Sequence, residues 1–247
     1  MKTKEYGNLV QLIIKAKETL ITSRKSDVFF TRRSILSFAT IVTFLLDMQK
    51  TALQARGNNF LRHQACGMRV HVTKQAISKR RNEFDHTPFV KIMQELVKKE
   101  YSGEYKTAEW YNHTILAVDG SKFQLPCDDK LMSEFGDGGS GVYPMAGVSV
   151  LYDVLHGWPL DATITHSHMN ERKECIDHIE YLCETLPDIA KKAIFTLDRG
   201  YPSLEMYEYL QSKNIKFVAK CKKESLAEIN KAPIGDTIIT SDISQLA

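Results

Sequence analysis

The sequence predicts an α+β protein made of an N-terminal helical bundle, residues 1–105, and a mixed-sheet α/β domain, residues 106–247. Helical spacing of apolar residues continues from about Lys4 to Lys99, with no proline before Pro88. Short apolar runs bounded by turn residues follow, which is typical of strands. The charge divides at the same place: residues 1–105 hold 19 Lys and Arg against 9 Asp and Glu (net +10), and residues 106–247 hold 14 against 21 (net −7).

The most apolar stretch of the helical part is Ser34–Leu46. Its apolar residues cover most faces, so it is predicted to be the central helix of the bundle. It is too short to span a bilayer, which takes roughly 20 residues.

A basic helix is predicted to start at Thr73, a good N-cap residue, with Ala76, Ile77 and Phe84 facing inward. The turn allowed by Gly67 makes it resemble the second helix of a helix-turn-helix. Four basic side chains are then expected to be exposed and to contact DNA phosphates: Lys74, Lys79, Arg80 and Arg81. The alternative is a basic, solvated helix without a ligand. The charge division itself also has an alternative, a chance distribution over solvated faces.

The second part is predicted to contain three strands in a meander, then helix, strand, helix and strand. The strands are predicted at 113–118, 143–155, 158–165, 192–197 and 215–219, and the helices at 171–184 and 201–211. The segment between the first two strands is rich in glycine and is expected to be mobile. This order of elements predicts a ribonuclease H-like domain, a fold in which carboxylates from the first and fourth strands come together.

Two aspartates are the strongest candidate site residues. Asp119 ends the run Thr-Ile-Leu-Ala-Val-Asp-Gly-Ser, and Asp198 ends Ala-Ile-Phe-Thr-Leu-Asp-Arg-Gly-Tyr. Each is predicted to place a carboxylate at the rim of the sheet, where both can share a divalent metal for phosphoryl-transfer chemistry. The alternatives are a turn aspartate and a helix-capping aspartate. His166 and His168 also suggest a metal site, although surface histidines in a loop are the favoured interpretation.

The cysteines are scattered, with no Cys-x-x-Cys pair. This argues against a disulfide framework and a structural zinc site and favours a reducing cytosol. The N-terminus has no signal-peptide pattern, so a cytoplasmic protein is expected.

Several motifs together resemble the insertion-sequence-four family of DDE transposases. Val118-Asp-Gly-Ser and Leu197-Asp-Arg-Gly-Tyr are similar to the first two acidic motifs of that family. Phe30-Thr-Arg-Arg-Ser-Ile-Leu-Ser-Phe is similar to its helical entry segment, and Lys216-Phe-Val-Ala-Lys to the segment after its second aspartate. The resemblance covers nearly the whole chain.

The resemblance implies a DNA transposase that cleaves and joins DNA strands with Mg²⁺ or Mn²⁺. It implies that Asp119 and Asp198 are catalytic metal ligands and that Arg199 and Tyr201 orient phosphate or sugar. The implied partner is double-stranded DNA, both the terminal repeats and the target, in a cytoplasmic, nucleoid-associated protein. A homodimer is compatible with this, and a membrane partner is not expected.

One departure from the family concerns the third acid, which lies in a downstream Tyr-x-x-Arg-x-x-x-Glu-x-x-x-Lys helix. This sequence has no arginine after Arg199 and no tyrosine after Tyr209. Ile234-Gly-Asp-Thr-Ile-Ile-Thr resembles the start of the family's β-rich insertion, so we expect a fragment with weak metal binding and impaired catalysis. Glu205 and Glu208 are poor substitutes on the helix after Asp198. The alternatives are a non-catalytic remnant that binds element ends and a standalone metal-dependent nuclease.

Overall fold

The computed structural model describes residues 2–64, 71–139, 141–221, 231, 233 and 235–238. The chain forms two compact units, Met1–Lys99 and Glu100–Ala247. No helix within the described residues is long and apolar enough to cross a membrane.

The first unit is helical, as the spacing predicts. Its helices are α1 (Lys2–Lys15), α2 (Lys17–Ser23), α3 (Phe38–Leu46), α4 (Leu53–Gln64), α5 (Lys74–Arg81) and α6 (Thr87–Glu100). Apolar side chains from these helices and their connections form one core, with Ile14, Ile41, Phe44 and Ile77 almost fully buried. Burial of this apolar surface is the main favourable contribution to the stability of the unit.

The central helix α3 begins later than predicted. It starts at Phe38, four residues after Ser34, because Ser37 accepts a hydrogen bond from the Thr40 backbone N–H at 3.2 Å and so caps the helix. Arg32 to Leu36 are not helical. The capping residue therefore decides where α3 begins, because the apolar pattern of Ser34–Leu46 does not mark the start of the helix.

Helix α5 is held against α4 by polar contacts of one side chain. Gln54 Nε2 donates to the Val72 carbonyl at 2.6 Å, and Gln54 Oε1 accepts from the Lys74 N–H at 2.8 Å. Thr73 caps α5 by accepting from the Ala76 N–H at 3.2 Å, as predicted. Gly67, where the sequence predicts a turn, lies outside the described residues.

The second unit is built on a five-stranded mixed sheet in the order β3-β2-β1-β4-β5. The strands are β1 (Thr114–Gln124), β2 (Met145–Asp153), β3 (Trp158–His166), β4 (Ala193–Leu197) and β5 (Lys216–Ala219). Strands β1, β2 and β3 pair antiparallel, whereas β4 pairs parallel with β1 and β5. This is the ribonuclease H-like arrangement that the element order predicts.

The helices of this unit are α7 (Asp129–Phe135), α8 (Glu171–Thr185), α9 (Pro187–Lys192) and α10 (Leu204–Ser212). The predicted helices correspond to α8 and α10, and all the predicted strands are present, although β1 continues to Gln124, beyond its predicted end at residue 118. Helices α7 and α9 were not predicted. The signal for α7 is the N-cap Asp128, whose carboxylate accepts from the N–H groups of Lys130 and Leu131.

A buried polar network fixes α8 on the sheet. His178 on α8 has Nδ1 at 2.8 Å from Asp161 Oδ2 on β3 and Nε2 at 3.1 Å from Ser149 Oγ on β2. Burying polar groups without hydrogen bonds costs free energy, and these hydrogen bonds form only when α8 lies at one position on the sheet. The network therefore fixes that position. The N-terminus of α8 is consequently held at a defined place near the edge of β1.

Candidate active site

Asp119 on β1 and Asp198, the residue that follows β4, lie level with each other at the end of a parallel strand pair. The last residue pair between β1 and β4 is Ala117 with Thr196. Asp119 and Asp198 each follow two residues later, and neighbouring strands are about 4.8 Å apart. The register therefore brings the two aspartates to the same point at the carboxyl end of the parallel pair.

The structure corrects the expected position of Asp119 in its strand. Asp119 is not at a strand end, because β1 continues to Gln124. The extension is paired with β2, up to Gln124 opposite Met145. Asp119 is nevertheless at the rim of the parallel pair, since β4 ends at Leu197. Long-range pairing with β2 thus overrides the turn signal of the Asp-Gly dipeptide.

Both aspartate side chains are exposed. Asp119 Oδ1 accepts a hydrogen bond from the Gly120 N–H at 2.9 Å. After Asp198 the chain turns tightly, with the Tyr201 N–H donating to the Asp198 carbonyl at 3.1 Å. Exposed carboxylates with free lone pairs are oxygen ligands of the type that Mg²⁺ and Mn²⁺ accept.

Tyr201 is buried, with 3% of its surface exposed. This disagrees with the predicted contact of Tyr201 with DNA, because its ring packs inside the unit. Its hydroxyl has no hydrogen-bond partner among the described residues. Burial raises the pKa of Tyr201, and electrostatic interactions with Cys175, Glu171, Asp119 and Asp198 raise it further. The hydroxyl is therefore a neutral donor close to several carboxylates.

Arg199 and Arg172 differ in what they contact. Arg199 is exposed and makes no ion pair or hydrogen bond within the part of the chain that the structure describes. Arg172, the second residue of α8, donates from Nε to the Gly200 carbonyl at 3.2 Å. Arg172 thus ties the turn after Asp198 to the start of α8, whereas Arg199 is available to an external anion.

Glu171 is a site residue that the sequence alone did not identify. The sequence suggests only a favourable position at the positive end of a helix. A Cβ atom on Gly200 would lie 3.3 Å from Glu171 Oε2, and one on Gly120 would lie 3.6 Å from Oε1. The carboxylate of Glu171 thus lies beside Gly120, which directly follows Asp119, and beside Gly200, which follows Asp198 after Arg199.

A polar cleft of about 390 Å³ opens next to β1 at this place. It is lined by Gly120, Ser121, Lys122, Ser167, His168, Met169 and Glu171. Lys122 Nζ also donates to the Gly138 carbonyl at 3.3 Å, which links the cleft to the glycine-rich segment. The cleft has room for a polar ligand beside the carboxylate of Glu171.

No metal cage is preformed in the described part of the chain. No group of three or more His, Cys, Asp or Glu side chains there is arranged to hold a metal ion. His166 and His168 lie with ring centroids 5.5 Å apart at the end of β3.

The basic residues of α5 belong to the first unit and are not equivalent. Lys74, Lys79 and Arg81 are exposed, as predicted. Arg80 is half-buried, which corrects the prediction: its guanidinium pairs with Glu83 at 2.7 Å and lies 5.2 Å from the ring centroid of Phe30. The stem of Arg80 packs on the bundle because its side chain can cover apolar surface.

The Ser149, His178 and Asp161 network has the hydrogen-bond order of a hydrolase triad. Ser149 is 1% exposed and His178 is 0% exposed. A nucleophile must reach its substrate, so this network is structural rather than catalytic. The four described cysteines, Cys127, Cys175, Cys183 and Cys221, carry free thiols.

Residues 110–241 match the family model described as "Transposase DDE domain". Among solved structures, the piggyBac transposase in a synaptic complex with hairpin DNA is similar at 11% identity and a TM-score of 0.43, over 93% of this chain and 54% of that chain. The Mos1 transposase in a paired-end complex with the left transposon end has 13% identity and a TM-score of 0.30, over 78% and 61%. The chain spans less than two thirds of either protein. No curated protein matched the sequence.

Proposed function

The chain belongs to the DDE transposase domain family, and from this premise we propose that it is a DNA transposase that cleaves and joins DNA strands. The observation that carries the proposal is the level placement of Asp119 and Asp198 at the carboxyl end of the β1–β4 pair. The motifs around these residues favour the insertion-sequence-four branch of the family. Asp119 and Asp198 are proposed as the catalytic acids.

The two carboxylates fit a divalent cation by the chemistry of their donors. Mg²⁺ is commonly held by one or two carboxylates together with waters and substrate phosphates. Asp119 and Asp198 would hold it, and the bound cation would supply charge stabilisation and a more acidic water for attack on a phosphodiester. The exposed Arg199 is proposed to bind a phosphate of the DNA next to these carboxylates.

The helical unit is proposed to bind duplex DNA through α5. Residues 1–105 carry a net charge of +10, and Lys74, Lys79 and Arg81 are exposed on or beside one short helix. Arg80 lies on the same helix, but its charge is already paired with Glu83, so it is not a free cation for DNA. Exposed Lys and Arg side chains bind phosphates and release counterions, which makes the affinity depend on salt.

The test is nicking of supercoiled plasmid by the full chain in Mn²⁺. Asp119→Asn and Asp198→Asn should each lower the nicking rate at least about a hundredfold, because both remove a charged ligand without changing the size of the side chain. The matched control is Asp188→Asn, an exposed aspartate of the same unit that pairs with Lys191. Nicking that persists in both site variants would refute the proposed role of the carboxylates.

A second candidate function is DNA binding without catalysis. It is favoured by the basic first unit, with its net charge of +10 over residues 1–105. Fluorescence anisotropy with a labelled duplex distinguishes the two functions. Salt-sensitive binding by a chain that nicks no DNA in Mn²⁺ would favour the binding function, and nicking lost in the aspartate variants would favour the transposase.

A further inference from the structure

The helical unit contains a cleft of about 390 Å³ between the junction of α1 with α2 and the chain that leads into α3. At the junction, the extended residue Ala16, with ψ 128°, interrupts the helix between Lys15 and Lys17. Within the described residues, no Asp or Glu lines the cleft. The charged residues that line it are all basic: Lys15, Lys17, Arg32 and Arg33. We call this site the basic cleft.

The positive charges of the basic cleft are not neutralised within the described part of the chain. All four side chains are exposed and form no ion pair or hydrogen bond there. The acids nearest to them in sequence pair elsewhere. Glu18 Oε1 lies 3.4 Å from Lys91 Nζ on α6, and Asp27 Oδ1 lies 2.6 Å from Arg24 Nη2. Because like charges around one cleft repel one another, an anion bound between them would lower the free energy.

The two arginines reach the basic cleft through a strained residue. Phe30 has a φ of 59°, in the left-handed region that bulky side chains rarely adopt. Its ring packs edge-on against Phe38, with the centroids 5.5 Å apart, and against Phe84, with the centroids 6.0 Å apart. This packing holds the strained backbone in place. The position of Arg32 and Arg33 is therefore set by the core of the unit.

The walls of the basic cleft are apolar. Ile14 is 1% exposed and Phe38 is 5% exposed, and the half-buried Leu20 and Phe30 also line it. A cleft that combines charges of one sign with walls of low dielectric constant focuses the electric field and attracts counter-ions. The ring centroid of Phe30 also lies 5.2 Å from the Arg80 guanidinium, so the basic cleft adjoins α5.

We propose that the basic cleft binds the phosphate backbone of duplex DNA as a second contact site beside α5, an inference that rests on the proposed function. The guanidinium groups of Arg32 and Arg33 match the oxygens of a phosphate, and the ammonium groups of Lys15 and Lys17 add point charges. Duplex DNA carries one negative charge per about 1.7 Å of its axis, so several phosphates can meet the four cations at once. A free phosphate ion offers only one such group.

The test is the salt dependence of duplex binding by the full chain, measured by fluorescence anisotropy with a labelled duplex. Two double variants remove charge from the cleft: Arg32→Gln with Arg33→Gln, and Lys15→Gln with Lys17→Gln. Each lost phosphate contact lowers the slope of log affinity against log salt by about 0.9, so each double variant should lower it by about 1 to 2. Thermal unfolding should give an unchanged Tm, because all four side chains are exposed.

The matched control is Lys4→Gln with Lys50→Gln. It removes two exposed lysines of the same unit that do not line the basic cleft. The slope should be the same in this control as in the unchanged chain. A loss in the control equal to that in the cleft variants would overturn the inference, because net charge alone would explain it.

A comparison with Lys74→Gln with Lys79→Gln on α5 separates this inference from the proposed function. If the α5 variant lowers the slope and neither cleft variant does, the basic cleft is not a DNA site and the role of α5 stands. If only the cleft variants lower it, the inference stands and the role of α5 fails. Cleft variants that keep the slope for DNA but no longer sediment with phosphatidylserine vesicles would overturn the inference and assign the cleft to an anionic lipid surface.

Discussion

Replacement of Arg80 by alanine should destabilise the helical unit, whereas replacement of Lys79 should not. The two residues are neighbours on α5 and carry the same charge. The Arg80 guanidinium pairs with Glu83 at 2.7 Å, and the side chains are 23% and 9% exposed. Lys79 is exposed and forms no ion pair within the described residues. Comparing variants of Arg80 and Lys79 therefore separates the effect of a charge held in an ion pair from the effect of a charge available to DNA.

The cost of Arg80→Ala follows from two contacts. Removing the partner of Glu83 leaves a nearly buried carboxylate without its ion pair, which costs about 1–3 kcal/mol. Losing the contact with Phe30, 5.2 Å from the ring centroid, costs about 0.5–1 kcal/mol more. A total of about 2 kcal/mol should lower the Tm of a unit of this size by roughly 10 °C.

The assay combines thermal unfolding with DNA binding. Circular dichroism should show the lower Tm for Arg80→Ala and an unchanged Tm for Lys79→Ala. The slope of log affinity against log salt should fall by about 0.9 in Lys79→Ala if Lys79 contacts one phosphate. Equal Tm values for the two variants would refute the structural role of Arg80, and an unchanged slope in Lys79→Ala would remove Lys79 from the DNA surface.

Three further predictions concern buried positions. Tyr201→Phe removes a hydroxyl without a partner in the described structure, so urea unfolding should show a change within about 1 kcal/mol, and a larger loss would reveal a bond to that hydroxyl. Burial raises the pKa of the Cys175 thiol to about 12, so at pH 8 it stays protonated and should resist iodoacetamide in mass spectrometry while the exposed Cys127 reacts. Gly147→Ala would place a Cβ 2.7 Å from a carbonyl oxygen of β3 and should lower the Tm. Gly7→Ala, at an exposed position of α1 with no described atom within 4 Å of its Cβ, should stabilise the chain by about 0.5–1 kcal/mol. The reverse order of Tm values would refute the tight packing at Gly147.

Much of the fold could be predicted because its signals are local. The helical period of the first unit, the short apolar runs of the strands and the cap Thr73 depend on residues close together in the chain. The element order was then sufficient to predict the strand arrangement and the meeting of Asp119 with Asp198. Helix α7 was missed because its short apolar pattern is weak and its main signal is one capping aspartate.

The candidate site could be predicted only in part. The two aspartates stand out because each follows a buried apolar run. Tyr201 was predicted to face DNA from its place next to Asp198, yet its ring is buried. Exposure at such a turn depends on packing against α8, which neighbouring residues in the sequence do not reveal.

The sequence by itself determined the two-part organisation, the identities of most secondary-structure elements and the acidic pair, because period, capping and composition act over a few residues. The tertiary structure decided how far β1 extends, since its pairing with β2 continues past Asp119. It also decided that Arg80 pairs with Glu83 and that Glu171 lies beside Gly120 and Gly200. The position of Glu171 beside these two glycines joins residues far apart in sequence, and it depends on how the sheet and α8 pack rather than on any local preference.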